Sequence, residues 1–233
     1  MNLIDLAILL LFGFVIIFSM YRGFLNAALK AASTFVCWIV AAILHPLLAW
    51  ILGGKGMISL LAGYTEGARK LLDNGIATAP MAGMGDAALT ELVDTSSLVT
   101  PYARLVNKNL LRQSFAKRGL TTVGEYFDTT VAECTLNILC FVLLFVTLRL
   151  ICGLIINMID HKRTFPVLVK YDTGYAAICG FIQGFLVCYV VFALTPMILS
   201  IFNVTAIVDY INSSFFGSFF YKTNVFLFLV GGT

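Results

Sequence analysis

The sequence predicts an all-α integral membrane protein with about four transmembrane helices, arranged as two hairpins with a helical extramembrane insertion between them. Hydrophobic residues make up 60% of the chain and charged residues only 12%, whereas soluble domains average about 45–50% and about 25%. Four apolar windows are each long enough to cross a hydrocarbon core of about 30 Å, which takes about 20 helical residues. This composition leaves too little polar surface to cover the chain in water, so it excludes a soluble enzyme.

The first hairpin is expected in residues 1–52. Its two windows, residues 3–20 and 24–50, are separated by a short turn that ends at Gly23. A glycine permits the backbone conformations that a tight turn between helices needs. Pro46 removes a helix hydrogen bond, so we expect it to bend or break the second helix near its end.

An extramembrane helical segment is expected in residues 53–124, where glycines and charges replace the apolar runs. Apolar residues recur at helical spacing over residues 57–72 and again over 102–111, which predicts two helices. The second helix carries basic residues four positions apart, at Arg104, Lys108 and Arg112. Its basic side could lie on anionic headgroups or could be the solvated face of a small subdomain, and the sequence favours neither.

The second hairpin is expected in residues 125–201, with apolar windows over 136–159 and 175–201. The remaining tail, residues 202–233, is apolar but interrupted by polar side chains, and its last apolar run is too short to span a bilayer. We therefore expect the tail to lie on the protein surface or at the membrane interface.

Basic residues in the short loops indicate the orientation, because Lys and Arg concentrate in short cytoplasmic loops. The two short loops, which lie on the same side of a four-span chain, carry Arg22, Lys30, Lys162, Arg163 and Lys170. The residues before Arg22 include no Lys or Arg, and the tail contains only Lys222. We expect the short loops in the cytoplasm and both termini outside it.

Arg149 and Gln183 are polar residues inside predicted spans, where polar groups are costly and often functional. Arg149 lies eleven positions before Asp160, and Gln183 lies eleven positions after Asp172. Each residue is thus about 16 Å from the end of its helix that adjoins the loop between the third and fourth spans. Because they lie at the same depth, the two side chains could meet. They could line a polar pathway, but we favour a single interhelical hydrogen bond with an arginine that extends toward the headgroups.

Asp5 lies near the start of the first predicted span. A carboxylate at that position can accept hydrogen bonds from the free N–H groups of the helix and interacts well with the helix dipole. We favour this capping role over a role in proton transfer.

Small residues recur every fourth position in the fourth span, at Ala176, Gly180 and Gly184. This spacing places them on one helix face, where they allow a neighbouring backbone to approach closely. Gly13 offers a small position midway along the first span, so we expect it to face Gly180. The alternative is a seam between two copies of the chain.

No catalytic triad, carboxylate pair, phosphate-binding loop or cluster of metal ligands is apparent in the sequence. The six cysteines form no C-x-x-C pair, which argues against a zinc site or a redox motif. We expect no enzymatic activity, no cofactor and no nucleic-acid partner. The expected partners are the lipid bilayer and either other membrane proteins or further copies of the chain.

Residues of the first and fourth spans together resemble the CvpA family, the colicin V production proteins of bacteria. The residues that carry the resemblance are Asn2, Asp5, Gly13, Arg22, Gly23, Phe24, Ala28, Asp172, Ala176, Gly180 and Gly184. The resemblance implies a multi-pass protein of the bacterial inner membrane that is linked to toxin production and envelope homeostasis. It implies no catalytic residue or cofactor, and a small oligomeric channel or transporter component is the alternative function.

Overall fold

The computed structural model describes residues 2–71, 74–82, 84–98, 100–112, 119–158, 171–202, 205–225 and 227. The α-helices in these ranges are α1 (Leu3–Arg22), α2 (Phe24–Leu52), α3 (Lys55–Thr65), α4 (Asn74–Ala77), α5 (Asp86–Asp94), α6 (Tyr102–Arg112), α7 (Val123–Met158), α8 (Asp172–Ala193), α9 (Thr195–Phe202), α10 (Thr205–Asn212) and α11 (Phe215–Lys222). Across these ranges the only β-type pairing is one isolated bridge between Pro80 and Thr122. The prediction of an all-helical chain is confirmed.

Four stretches are long and apolar enough to cross a membrane: α1, α2, α7, and α8 with its continuation to Leu199. They pack in the order α1, α8, α2, α7, because α8 lies against both α1 and α2, and α2 lies against both α8 and α7. α1 and α8 are antiparallel, since Gly23 lies beside Asp172 at one end and Phe12 lies beside Gly184 further along. The described residues thus contain four helices long and apolar enough to span a membrane, which is the number predicted.

The starts of α1 and α2 are fixed by local chemistry. At α1, the side chain of Asn2 accepts the N–H of Ile4 at 3.3 Å, and Asp5 accepts the N–H of Asn2 at 3.1 Å. These reciprocal bonds form a capping box. Between the helices, Gly23 has a φ of 81°, and a side chain there would lie 3.1 Å from a carboxylate oxygen of Asp172. The turn therefore needs a residue that tolerates a positive φ and has no side chain to contact Asp172, and glycine provides both.

Pro46 does not break α2, which continues to Leu52. Proline lacks the N–H that would bond to the carbonyl of Ala42, four residues earlier. The ring atom Nδ1 of His45 lies 2.8 Å from that same carbonyl oxygen. His45 therefore replaces the missing donor, which explains why the helix continues through the proline.

α7 begins at Val123 rather than at the expected Leu136. Its 36 residues span about 54 Å, well beyond the hydrocarbon thickness of about 30 Å. The apolar part runs antiparallel to α2, with Cys37 beside Cys152 and Gly53 beside Leu136. The first turns are too polar for a hydropathy window to include, and they are helical because α3, α4 and α6 pack against α7.

The pattern over residues 57–72 forms two helical pieces instead of one. α3 ends where Glu66 adopts a left-handed conformation with a φ of 43°, and a short 3-10 helix, Gly67–Lys70, follows. A Cβ at Gly67 would lie 3.0 Å from the Cα of Asp128. The change in direction thus brings the backbone of Gly67 directly against α7.

The apolar side of α6 is buried in protein. Tyr102 and Leu110 are each no more than 3% exposed, and the Tyr102 hydroxyl donates to the carbonyl of Val131 in α7 at 3.2 Å. Arg104 and Lys108 are exposed on the other side. Because the apolar side is occupied by protein, only the exposed basic side of α6 is left to face water or anionic headgroups.

The tail returns to the helical bundle through α9, α10 and α11. α8 begins at Asp172 rather than at the expected Tyr175, and α11 packs against both α1 and α8. The ring of Phe220 in α11 is 2% exposed and contacts the rings of Phe185 and Tyr189 in α8. This aromatic cluster fixes α11 on the bundle surface.

Candidate functional site

The carboxylate of Asp5 joins the start of α1 to the start of α11. The residue is only 1% exposed. It accepts hydrogen bonds from the Ser214 hydroxyl at 2.7 Å and from the N–H groups of Phe216 and Phe215 at 2.8 and 3.3 Å. The positive ends of two helix dipoles therefore meet at one negative charge. The capping role predicted for α1 is observed, and Asp5 additionally caps a helix more than 200 residues away.

The turn between α1 and α2 is tied to both other long helices. An oxygen of Asp172 at the start of α8 accepts the N–H of Phe24 at 3.1 Å. The guanidinium of Arg22 donates to the side-chain oxygen of Asn157 in α7 at 3.1 Å. The sequence placed Arg22 and Gly23 in one motif and Asp172 in another, whereas the structure brings all three to one end of the bundle.

The small residues of α8 form a close seam with α1. A Cβ at Gly180 would lie 2.8 Å from the hydroxyl oxygen of Ser19, and one at Gly184 would lie 3.2 Å from the ring of Phe12. Ala176 is fully buried. The expected packing of α8 on the first span of the same chain is thus observed.

The partner position on α1 differs from the prediction. A Cβ at Gly13 would meet no atom within 4 Å, so Gly13 does not face Gly180. The side of α1 that approaches α8 carries Phe12, Ile16 and Ser19, which are spaced by four and three residues. Gly13 is one position away from that row, a rotation of about 100° around the helix.

Arg149 and Gln183 form no hydrogen bond with each other in the described part of the chain. Both α7 and α8 pack on α2, which separates the two helices that carry them. The Nη1 atom of Arg149 lies 3.7 Å from the place a Cβ of Gly153 would occupy. The guanidinium therefore extends along α7 toward the end at Met158, as an arginine does when it reaches for the headgroups. This direction of the Arg149 side chain agrees with the sequence analysis, whereas the expected hydrogen bond between Arg149 and Gln183 is absent from the described residues.

Two other polar groups lie inside the bundle. The thiols of Cys37 and Cys152 are 3.6 Å apart, and both cysteines are free. The buried Nε2 atom of His45 has no hydrogen-bond partner among the described residues. Those residues also contain no group of three His, Cys, Asp or Glu side chains that could hold a metal ion.

A cleft of about 1030 Å³ opens between α2, α3 and the first turns of α7. Its polar lining residues are Lys55, Ser59, Glu125, Asp128, Thr129, Glu133 and Asn137. Asn137, which is only 5% exposed, is the most deeply buried of these polar residues. The cleft therefore offers several polar side chains at one face of α7.

Two of the acids in the cleft already have structural roles. Asp128 accepts the N–H of Ala68 at 2.7 Å, and Glu125 accepts the N–H of Thr121 at 3.1 Å. These bonds anchor the 3-10 helix and the start of α7. The sequence interpretation missed this cleft, although polar residues recur along α7 at every fourth position from Glu125 to Asn137.

Tyr102 and Tyr221 are buried tyrosines outside the spans. Burial raises the pKa of Tyr102 and of Tyr221 above the ordinary value for a phenol. Tyr102 keeps its proton and uses it in the bond to Val131. It is therefore a structural contact between α6 and α7 and not a phenolate base.

Comparisons of the chain with family models, curated proteins and solved structures find no match. A functional interpretation therefore depends on the motif residues and on the contacts they make.

Proposed function

We propose that the chain is a non-enzymatic, multi-pass protein of the bacterial inner membrane that supports toxin production and envelope homeostasis, as its resemblance to CvpA proteins implies. The observation that carries the proposal is the contact between the first and fourth spans. Gly23 lies against Asp172, and Gly180 lies against Ser19. Gly23, Asp172 and Gly180, three of the residues behind the resemblance, thus belong to one helix–helix unit, as expected if they preserve a shared framework.

The dispersed polar residues support an accessory role over a channel. Asp5 is occupied by helix capping, Arg149 extends along its own helix, and Gln183 is not bonded to Arg149. A conducting path needs polar groups that line one continuous route through the membrane. These three side chains lie on different helices or at different ends of the bundle.

The proposal includes an orientation. The end of the bundle with Arg22 and Lys30 would face the cytoplasm, together with the loop between α7 and α8. Both termini, the segment 53–122 and the cleft would then lie outside the cytoplasm. A reporter active only in the cytoplasm, fused after Thr233, should remain inactive. Strong activity of that fusion would show that the protein has the opposite orientation.

The accessory role is tested in a bacterium that produces colicin V but lacks its own CvpA protein. Expression of this chain should restore toxin release. A Gly180→Leu variant should restore less, because it separates α1 from α8, whereas Gly13→Leu should act like the unmodified chain. Membrane levels of each protein are measured by immunoblot. Normal levels of the unmodified chain without toxin release would contradict the proposal.

The channel alternative is tested with the purified chain in proteoliposomes. We expect no ion or solute flux above that of protein-free vesicles. A flux that falls in an Arg149→Gln variant and persists in an Arg104→Gln variant would favour the channel, because Arg104 is exposed on α6 outside the bundle.

A further inference from the structure

Two cations flank one aromatic ring at the end of the bundle where α1 meets α2. The guanidinium carbon of Arg22 lies 4.7 Å from the ring centroid of Phe18, and Nζ of Lys30 lies 4.9 Å from it. Both distances are within the range of cation–π attraction, which is about 6 Å. The ring of Phe18 thus holds both positive charges at this end of the bundle.

Arg149 in α7 directs a third positive charge toward this corner. Its guanidinium extends past Gly153 toward the same end of the bundle. Three helices, α1, α2 and α7, thus contribute one cation each.

No carboxylate neutralises these cations within the described residues. Asp172 is the acid that the described residues place at this end of the bundle, and it accepts the N–H of Phe24 instead. Arg22 donates to the neutral side chain of Asn157. Lys30 and Arg149 are half-buried. Like charges that are partly removed from water repel strongly, so the arrangement favours an external anion.

The surface next to the cations is apolar and exposed. Phe14 is 71% exposed, Ile17 is 68% exposed and Phe18 is 40% exposed. All three lie on α1 within the eight residues before Arg22. A ligand that fits this surface has an anionic head and a hydrocarbon chain, which are the two parts of a phospholipid.

We propose that Arg22 and Lys30 bind the phosphate of an anionic phospholipid, whose acyl chain lies along Phe14, Ile17 and Phe18. The site goes beyond the proposed accessory function and requires only that α1, α2 and α7 are embedded in a bilayer. In the proposed orientation, the lipid belongs to the cytoplasmic leaflet.

Native mass spectrometry of the full chain in detergent tests the site with phosphatidylglycerol as the probe and phosphatidylcholine as the neutral lipid. One Lys or Arg near the membrane surface contributes about 1 kcal/mol to the binding of anionic lipid, which corresponds to about a fivefold change in affinity. The double variant Arg22→Gln/Lys30→Gln should therefore bind phosphatidylglycerol about 25-fold more weakly. Lys55→Gln/Lys222→Gln, which removes two exposed cations elsewhere, should bind like the unmodified chain. Equal binding by the two double variants would overturn the proposal.

Thermal unfolding distinguishes lipid binding from a structural role. Without anionic lipid, the unfolding temperature of Arg22→Gln/Lys30→Gln should change little, because the relieved repulsion offsets the lost bond between Arg22 and Asn157. Phosphatidylglycerol should raise the unfolding temperature of the unmodified chain more than that of the variant. Loss of stability in the lipid-free variant would assign the cations a structural role and overturn the site. Equal stabilisation by inorganic phosphate at matched ionic strength would show a free-anion site and exclude the lipid.

Discussion

His45 and Pro46 act as a pair, because one supplies the hydrogen bond that the other removes. Their adjacency in sequence does not reveal this, since a histidine next to a proline is as compatible with a helix end as with a helix interior. The deciding contact is the 2.8 Å approach of Nδ1 to the carbonyl of Ala42. The ring then lies against Phe141, which fixes its orientation within the bundle.

A double-mutant cycle tests this pairing. His45→Leu should destabilise the chain by about 1–2 kcal/mol, because a buried carbonyl loses its donor. In a Pro46→Ala background, the restored N–H of residue 46 can bond to Ala42, so the same His45→Leu change should cost much less. Thermal unfolding in detergent measures both. Equal losses in the two backgrounds would mean that His45 acts through packing alone.

Single-residue roles were predictable from sequence where they depend on neighbours in the chain. Asp5 was recognised as a cap because a capping box spans only four residues. Its bonds to Ser214 and Phe216 depend on how a distant segment folds back. The proposed meeting of Arg149 and Gln183 failed for a similar reason. Depth along a helix follows from counting residues, whereas the direction a side chain faces depends on which helices are neighbours.

At the scale of helices, the seam between α1 and α8 shows the same limit. The four-residue spacing of Ala176, Gly180 and Gly184 correctly indicated a close approach. The partner row on α1 contains Phe12 and Ser19 rather than a glycine. Close packing here requires small residues on one helix only, because the large ring of Phe12 fills the space that Gly184 leaves.

Alanine substitutions at two glycines separate seam packing from helix propensity. Gly180→Ala adds a methyl group within 3 Å of Ser19 and should destabilise the chain by about 1–3 kcal/mol, the usual cost of overpacking. Gly13→Ala meets no neighbour and should be neutral or stabilise by up to about 1 kcal/mol, because alanine favours helix. The stabilities of the two variants are compared by following their unfolding with circular dichroism. Similar changes in both variants would contradict the seam.

Crosslinking tests whether the seam lies within one chain. Cysteines at Ser19 and Gly180, in a background without other cysteines, should form an intrachain disulfide, because the Cβ of Ser19 is 2.9 Å from the Cβ position at residue 180. That separation is within about 1 Å of the usual value of about 3.8 Å. Cysteines at Gly13 and Gly180 should crosslink far less. Disulfides found only between chains would make the seam an oligomer interface.

For the whole molecule, composition and window length were sufficient to predict four membrane-spanning helices. The packing order was not predictable, because consecutive helices need not be the most closely packed ones. α1 lies mainly against α8, its distant partner, while α2 lies between α8 and α7. The extent of α7 was missed for a different reason. Its first turns are stabilised by the inserted segment, whose contacts no hydropathy window contains.

The two ends of the chain are joined through Asp5, so its loss should release α11 while the spans remain folded. Asp5→Asn keeps the size of the side chain but replaces one acceptor oxygen with a donor nitrogen, which would face N–H groups. Bonds to a charged acceptor contribute about 1.5–3 kcal/mol, so amide exchange in Phe215–Lys222 should accelerate about tenfold to a hundredfold. Hydrogen exchange with mass spectrometry measures this, with Asp209→Asn as the control because that acid is exposed in the same tail. Unchanged exchange in α11 of the Asp5→Asn variant, or equal acceleration by Asp209→Asn, would show that aromatic packing alone holds the tail to α1.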